Sequence, residues 1–231
     1  MTRVSLGGLV GGVAAVAAVC VATAAVLAVR IPVPRWDSVA LAVALGVAGY
    51  HLQVNVRIAG QRLMFVWCHT AVAVALVLEP APWVVLTTAV GIALATFGPR
   101  GPRPRVKAFY NTALFTVSAT AAAAAYQALH PVLALNPWRT PAAVVVVMLL
   151  FSVIEDVGVQ GVIAVASGRR FATIWRGGAG VRGMQLATDL ILSVASGVAA
   201  LAEPRLLVAL PVVAFLLHMA HCNALVTRLD P

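Results

Sequence analysis

The chain predicts an all-α, polytopic transmembrane helical bundle of seven or eight spans, folded as one integral membrane domain over residues 1–231. Three observations carry that prediction. Hydrophobic residues make up 62% of the sequence, against roughly 45–50% in soluble domains. The apolar runs are long and continuous rather than alternating, which is the pattern of helices and not of barrel strands. Charged residues are only 10% of the chain, and the basic ones gather on alternate loops.

The expected spans follow in order. Residues 6–29 form the first, with Gly7, Gly8, Gly11 and Gly12 and then Ala14, Ala18 and Ala22 spaced four apart. Small residues at that spacing let helices approach closely. Packing within the chain is the simpler use of such a face, and a homo-oligomer contact is the alternative. The run is too long for the apolar region of a secretory signal, about 7–15 residues, so an uncleaved helix is expected. Residues 38–50 form a second, short span. From His51 to Ile58 polar and apolar residues alternate strictly, then Ala59-Gly60-Gln61 supplies a turn. A period of two is a strand signature, so a short β-hairpin or amphipathic segment is expected near 51–65, at the interface or against protein.

Further spans are expected at 63–78, 82–97, 108–129, 142–166, 184–201 and 206–226. The basic loop 98–107 belongs among anionic head groups. The loop 167–183 carries Arg169, Arg170, Arg176 and Arg182 with Phe171, Ile174 and Trp175, a composition for a short interfacial helix. Trp36, Trp67, Trp83, Trp138, Trp175 and Tyr110 are expected as interface anchors.

A net charge of +9 raises the question of nucleic acid, but position answers it. With eight spans and the N-terminus inside, twelve Lys and Arg are cytoplasmic and four (Arg30, Arg35, Arg139, Arg205) lie outside. This is the positive-inside bias of a multi-pass membrane protein. A re-entrant second span gives thirteen against three. Both arrangements leave the C-terminus in the cytoplasm, and neither implies a nucleic-acid partner. Cys20, Cys68 and Cys222 show no disulfide or zinc-ribbon spacing and are expected as buried free thiols.

Chemistry is hinted at in few places. Glu155 and Asp156 fall in the middle of an apolar run, and Asp189 lies inside the next. An intramembrane acid suggests a proton relay, cation site or ligand anchor. The bland alternative is a protonated carboxyl bonded to another helix. Neighbours on a helix point about 100° apart, so Glu155 and Asp156 should serve different partners, and Gln160 shares Asp156's face. Asn111 is a further polar candidate at the start of the fifth span. His218 and His221 share a helical face beside Cys222. They are candidate metal ligands only if Glu155, Asp189 or His69 completes the set. No nucleophile, metalloprotease, phosphate-loop or dinucleotide motif occurs, so no cofactor is expected.

Three segments together resemble a known family. They are His51–Ile58 running into Gln61–Phe65, Lys107-Ala-Phe-Tyr-Asn111 followed by Leu114 and Phe115, and Ala166–Arg169 followed by Trp175. This is similar to the multi-span N-terminal membrane region of actinobacterial cyclic-di-GMP signalling proteins, which precedes GGDEF, EAL or HD-GYP output domains. The resemblance covers about residues 40–225 and implies a sensory or anchoring role without catalysis. His69 stands where the family often has an acid, and Glu155 where it commonly has Asn. No output domain follows in this sequence, so the expectation is a stand-alone relative or part of a longer chain.

The function expected is therefore a non-enzymatic sensory or ligand-binding module. It would take a small or lipid-like ligand in the bilayer and signal to a cytoplasmic protein partner. A transporter, or its substrate-capturing subunit, is the alternative, followed by a lipid-directed membrane enzyme.

Overall fold

The computed structural model describes residues 5–51, 54–58, 61–65, 68–98, 105–132 and 139–202. Within them the chain is helical apart from one two-stranded ladder. The elements are α1 (Leu6–Ala28), α2 (Trp36–His51), β1 (Val54–Ile58), β2 (Gln61–Phe65), α3 (His69–Leu78), α4 (Ala81–Phe97), α5 (Arg105–Val132), α6 (Arg139–Ser167), α7 (Phe171–Gly177) and α8 (Ala179–Ala202). The strands pair antiparallel, from Val54 opposite Phe65 to Ile58 opposite Gln61.

Three helices are long and apolar enough to cross a membrane: Leu6–Ala28, Thr140–Ser167 and Gln185–Ala202. They mark the chain as membrane-embedded. The expected span 108–129 lies within α5, which is long (28 residues) but is not among these three, and three other helices at expected spans are short. At 1.5 Å per residue, α2 (16 residues), α3 (10) and α4 (17) rise about 24, 15 and 26 Å, short of a hydrocarbon core of about 30 Å. The expected span at 63–78 is corrected most. Its first residues belong to β2, and the helix begins only at His69. The expected last span, 206–226, lies outside the described residues.

The short helix α3 is the centre of the molecule. Every residue from Ala71 to Leu76 is buried, as expected for a helix apolar on all sides. α2, α4, α6 and α8 pack around it, while α5 lies against α4 and α6. The main core joins Val72, Ala73 and Leu76 of α3 to Val84 and Ile92 of α4, Phe115 of α5 and Val147, Met148 and Phe151 of α6. Small residues set the closest approach. A Cβ on Gly91 would meet the Val43 carbonyl oxygen at 3.4 Å, and one on Gly46 would meet Gly91 Cα at 3.7 Å. These are ordinary van der Waals distances, so the α2–α4 crossing is close at both glycines but has room for a Cβ.

The outward faces are as apolar as the core. Val146, Leu150, Val153 and Val157 line one exposed face of α6. Such stripes belong in acyl chains rather than water. Polar side chains inside the bundle bond to their own helix. Thr112, Thr116 and Thr120 each donate to the carbonyl four residues back, and Thr96 meets Thr112 at 2.9 Å across α4 and α5. α1 differs from expectation. Its buried residues are Ala17, Ala24 and Ala28. Cβ atoms on Gly7, Gly11 and Gly12 would meet nothing within 4 Å, so among the described residues the glycine face is uncovered.

Candidate functional site: a buried imidazole between two carboxylates

Three helices each bring one ionisable side chain to a common point. His69 is the first residue of α3, Glu155 lies in the middle of α6, and Asp189 lies ten residues into α8. His69 Nε2 lies 2.7 Å from Glu155 Oε2, within hydrogen-bond distance. His69 Nδ1 lies 3.6 Å from Asp189 Oδ2, an electrostatic contact longer than a hydrogen bond. The His69 side chain is 2% exposed, with Glu155 at 19% and Asp189 at 12%.

Local sequence explains how the three meet. Phe151 and Glu155 are one turn apart and share a face of α6. Phe151 packs edge-on to the His69 ring with centroids 5.1 Å apart, and Phe115 of α5 closes the other side at 5.9 Å. The two phenyl rings meet in a T at 5.4 Å, so the imidazole sits in an aromatic corner that fixes its plane. On α8, Asp189, Ser193 and Ser196 follow helical spacing and are all buried. The helix dipole adds to the arrangement. The N-terminus of α3 carries partial positive charge, and both carboxylates lie against its first residue.

Asp156 points elsewhere, as a 100° step along α6 requires. Its Oδ2 lies 3.0 Å from Arg182 Nε on α8, and Gln160 Nε2 donates to its Oδ1 at 3.1 Å. The Arg182 guanidinium in turn stacks over Trp175 at 4.8 Å, and Trp175 leans on Phe171, 5.4 Å between centroids. Adjacent acids on α6 thus serve two networks. One lies within the bundle around the buried His69. The other reaches through Arg182 to the small helix α7.

Asn111 lies one turn before Phe115 on α5, and no hydrogen bond among the described residues joins it to Glu155, Asp156 or Asp189. Tyr110 beside it donates to the Gly158 carbonyl at 2.8 Å. His218 and His221 lie outside the described residues. Among the described residues no group of three His, Cys, Asp or Glu side chains is disposed to hold a metal ion.

Sequence reasoning gave His69 only a supporting part and did not single out Glu79. His69 is 86 residues from Glu155, and no local pattern links them. Glu79 ends α3, is buried, and accepts a hydrogen bond from Thr87 Oγ1 at 3.0 Å. Its signal in the sequence is an acid followed by proline between two apolar runs.

Chemically, an imidazole with a carboxylate at each nitrogen is equipped to hold a proton. A neutral ring donates from one nitrogen only, whereas imidazolium donates from both. Protonation therefore changes how many carboxylates the ring can donate to, from one to two, at a place where the low dielectric amplifies the difference. No protein-family model matches this chain, and neither a curated protein nor a solved structure does. The fold and the site together define a membrane-embedded helical protein with a buried carboxylate–imidazole–carboxylate centre.

Proposed function

We propose that this chain is a non-enzymatic, multi-pass sensory module of a bacterial inner membrane. Its His69–Glu155–Asp189 centre takes up and releases a proton, alone or with a small ligand. The change passes to a cytoplasmic protein partner. The observation that carries this reading is the 2.7 Å contact of a fully buried histidine with Glu155, with Asp189 at its other nitrogen. A charge change there alters how α6 and α8 sit against α3.

Support for the output side comes from the neighbouring network. Asp156 follows Glu155 directly, and it holds Arg182, which carries Trp175. A rotation of α6 that re-seats Glu155 must also move Asp156, because both are fixed to one helix. The loop containing α7 is basic and aromatic, suited to the cytoplasmic surface. The resemblance to the membrane regions of cyclic-di-GMP signalling proteins points the same way.

The test is a pH titration of the protein in lipid nanodiscs, read by hydrogen exchange over residues 171–182. The wild type should show a pH-dependent change in protection, and His69→Gln should flatten it. Arg182→Met should uncouple residues 171–177 while leaving exchange at residues 69–78 responsive. Identical pH profiles for wild type and His69→Gln would remove the basis of the proposal.

Proton-coupled transport is the second reading. It is favoured by the second buried acid, Glu79, at the far end of α3, about 15 Å from His69 by helical rise. Accumulation of a solute in proteoliposomes, dependent on both Glu155 and a proton gradient, would select it over sensing.

A further inference from the structure

A second polar site lies at the opposite end of α3 from His69, and it is independent of the proton centre. Glu79 is 7% exposed. One carboxylate oxygen, Oε2, accepts from Thr87. The other, Oε1, is buried without a hydrogen-bond partner among the described residues. Beside it is a cavity of about 350 Å³, whose lining includes Glu79, Ala81, Val84, Ala123, Tyr126 and Gln127. This volume is in the range of small-ligand sites.

Three features decide which ligand chemistry fits. The first is charge. Glu79 caps the C-terminal end of α3, where the helix dipole is negative. A carboxylate there is doubly in need of a cation, and an anion is excluded. The second is donor number. Divalent cations such as calcium take six to eight oxygens, and the side chains lining this cavity offer fewer, from the Glu79 carboxylate, the Tyr126 hydroxyl and the Gln127 amide. The third is the aromatic wall. Tyr126 lines the space, and tyrosine faces attract ammonium groups. An ammonium on a short apolar stem satisfies all three.

We infer that the Glu79 cavity binds a primary ammonium group, with the ion pair formed at Oε1 and the ligand's carbon stem against Val84 and Ala123. The depth of the site suggests two sources for that chemistry. Trp83 lies on the first turn of α4, close to Glu79 in sequence, and meets Trp36 at the start of α2, 6.0 Å between ring centroids. Tryptophan pairs at helix ends belong at head-group level. The ammonium is accordingly that of a free amine or that of an ethanolamine lipid head group reaching in from the bilayer.

The experiment titrates n-butylammonium into the full chain in nanodiscs of phosphatidylglycerol at about pH 8.5, where a carboxyl raised to about 7 is ionised and the amine still charged, read by calorimetry. A second arm measures retention of phosphatidylethanolamine by native mass spectrometry from mixed nanodiscs. Glu79→Gln, which keeps shape and the Thr87 contact, should weaken binding at least about tenfold. Ala81→Phe, which narrows the cavity and leaves the carboxylate in place, should do the same. Butylammonium binding that added phosphatidylethanolamine does not displace assigns the site to a soluble amine. Displacement, or retention of the lipid alone, assigns it to the head group. Failure of both ligands to bind would overturn the inference, as would binding indifferent to both substitutions.

Discussion

Removing the His69–Glu155 contact is the sharpest perturbation the structure offers. When His69 is protonated, two unit charges 2.7 Å apart attract by about 6 kcal/mol at an effective dielectric of 20. Desolvation takes back several kcal/mol per ion, and Glu155 keeps some exposure. What remains is close to a hydrogen bond with a charged partner, about 1.5–3 kcal/mol. Each single change costs more than that, because it strands the other group. His69→Ala also empties the corner between Phe115 and Phe151, and Glu155→Ala removes the carboxylate 2.7 Å from the buried His69 Nε2. Breaking one side of a buried pair typically costs about 3–5 kcal/mol. The double variant His69→Ala/Glu155→Ala should then be less damaged than the sum of the singles by about 2 kcal/mol. The assay is reversible unfolding in mixed micelles for all four proteins of the cycle, at a pH where the wild type is most stable. Additivity within about 0.5 kcal/mol, the usual result for independent sites, would refute the coupling and with it the reading of a joined centre.

Two further predictions test the ends of the same framework. Burial pushes the Glu79 carboxyl up to about 7, against a downward pull from the Thr87 hydroxyl. The native state therefore holds this proton more tightly than the unfolded chain does. Its contribution to stability is complete below about pH 4.5 and is lost as pH rises through 7. The unfolding midpoint of Glu79→Gln should change less than that of the wild type between pH 5 and pH 8, and an unchanged difference would count against burial as the cause. Gly168 ends α6 with φ +65° and has nothing within 4 Å of an added Cβ. Gly168→Ala should therefore cost the backbone penalty alone, about 1–2 kcal/mol, measurable by the same unfolding assay.

The division of labour between Glu155 and Asp156 was legible in advance, because the helical turn alone forbids them one partner. Gln160 beside Asp156 follows from the same periodicity. The identity of each partner was not legible. His69 reaches Glu155 from α3 and Arg182 reaches Asp156 from α8, across separations that no local spacing encodes. The apolar run at 63–78 read as one span because strand and helix are equally hydrophobic there. Only the backbone shows that the ladder ends at Phe65 and that a ten-residue helix begins at His69. Glu79 escaped notice because a glutamate between two apolar runs looks like a loop residue in water. Its burial is decided by α4 and α5 closing over the end of α3.

By itself the sequence determined the solvent. A chain so apolar and so sparsely charged must satisfy its backbone within helices and show its side chains to lipid. It also determined that the few acids within its apolar runs would be sheltered, since bare charge in hydrocarbon is too costly to leave exposed. Which groups meet is a property of the tertiary structure alone. It follows from the packing of α6 and α8 against a buried α3, where long-range contacts set the distances between His69, Glu155 and Asp189.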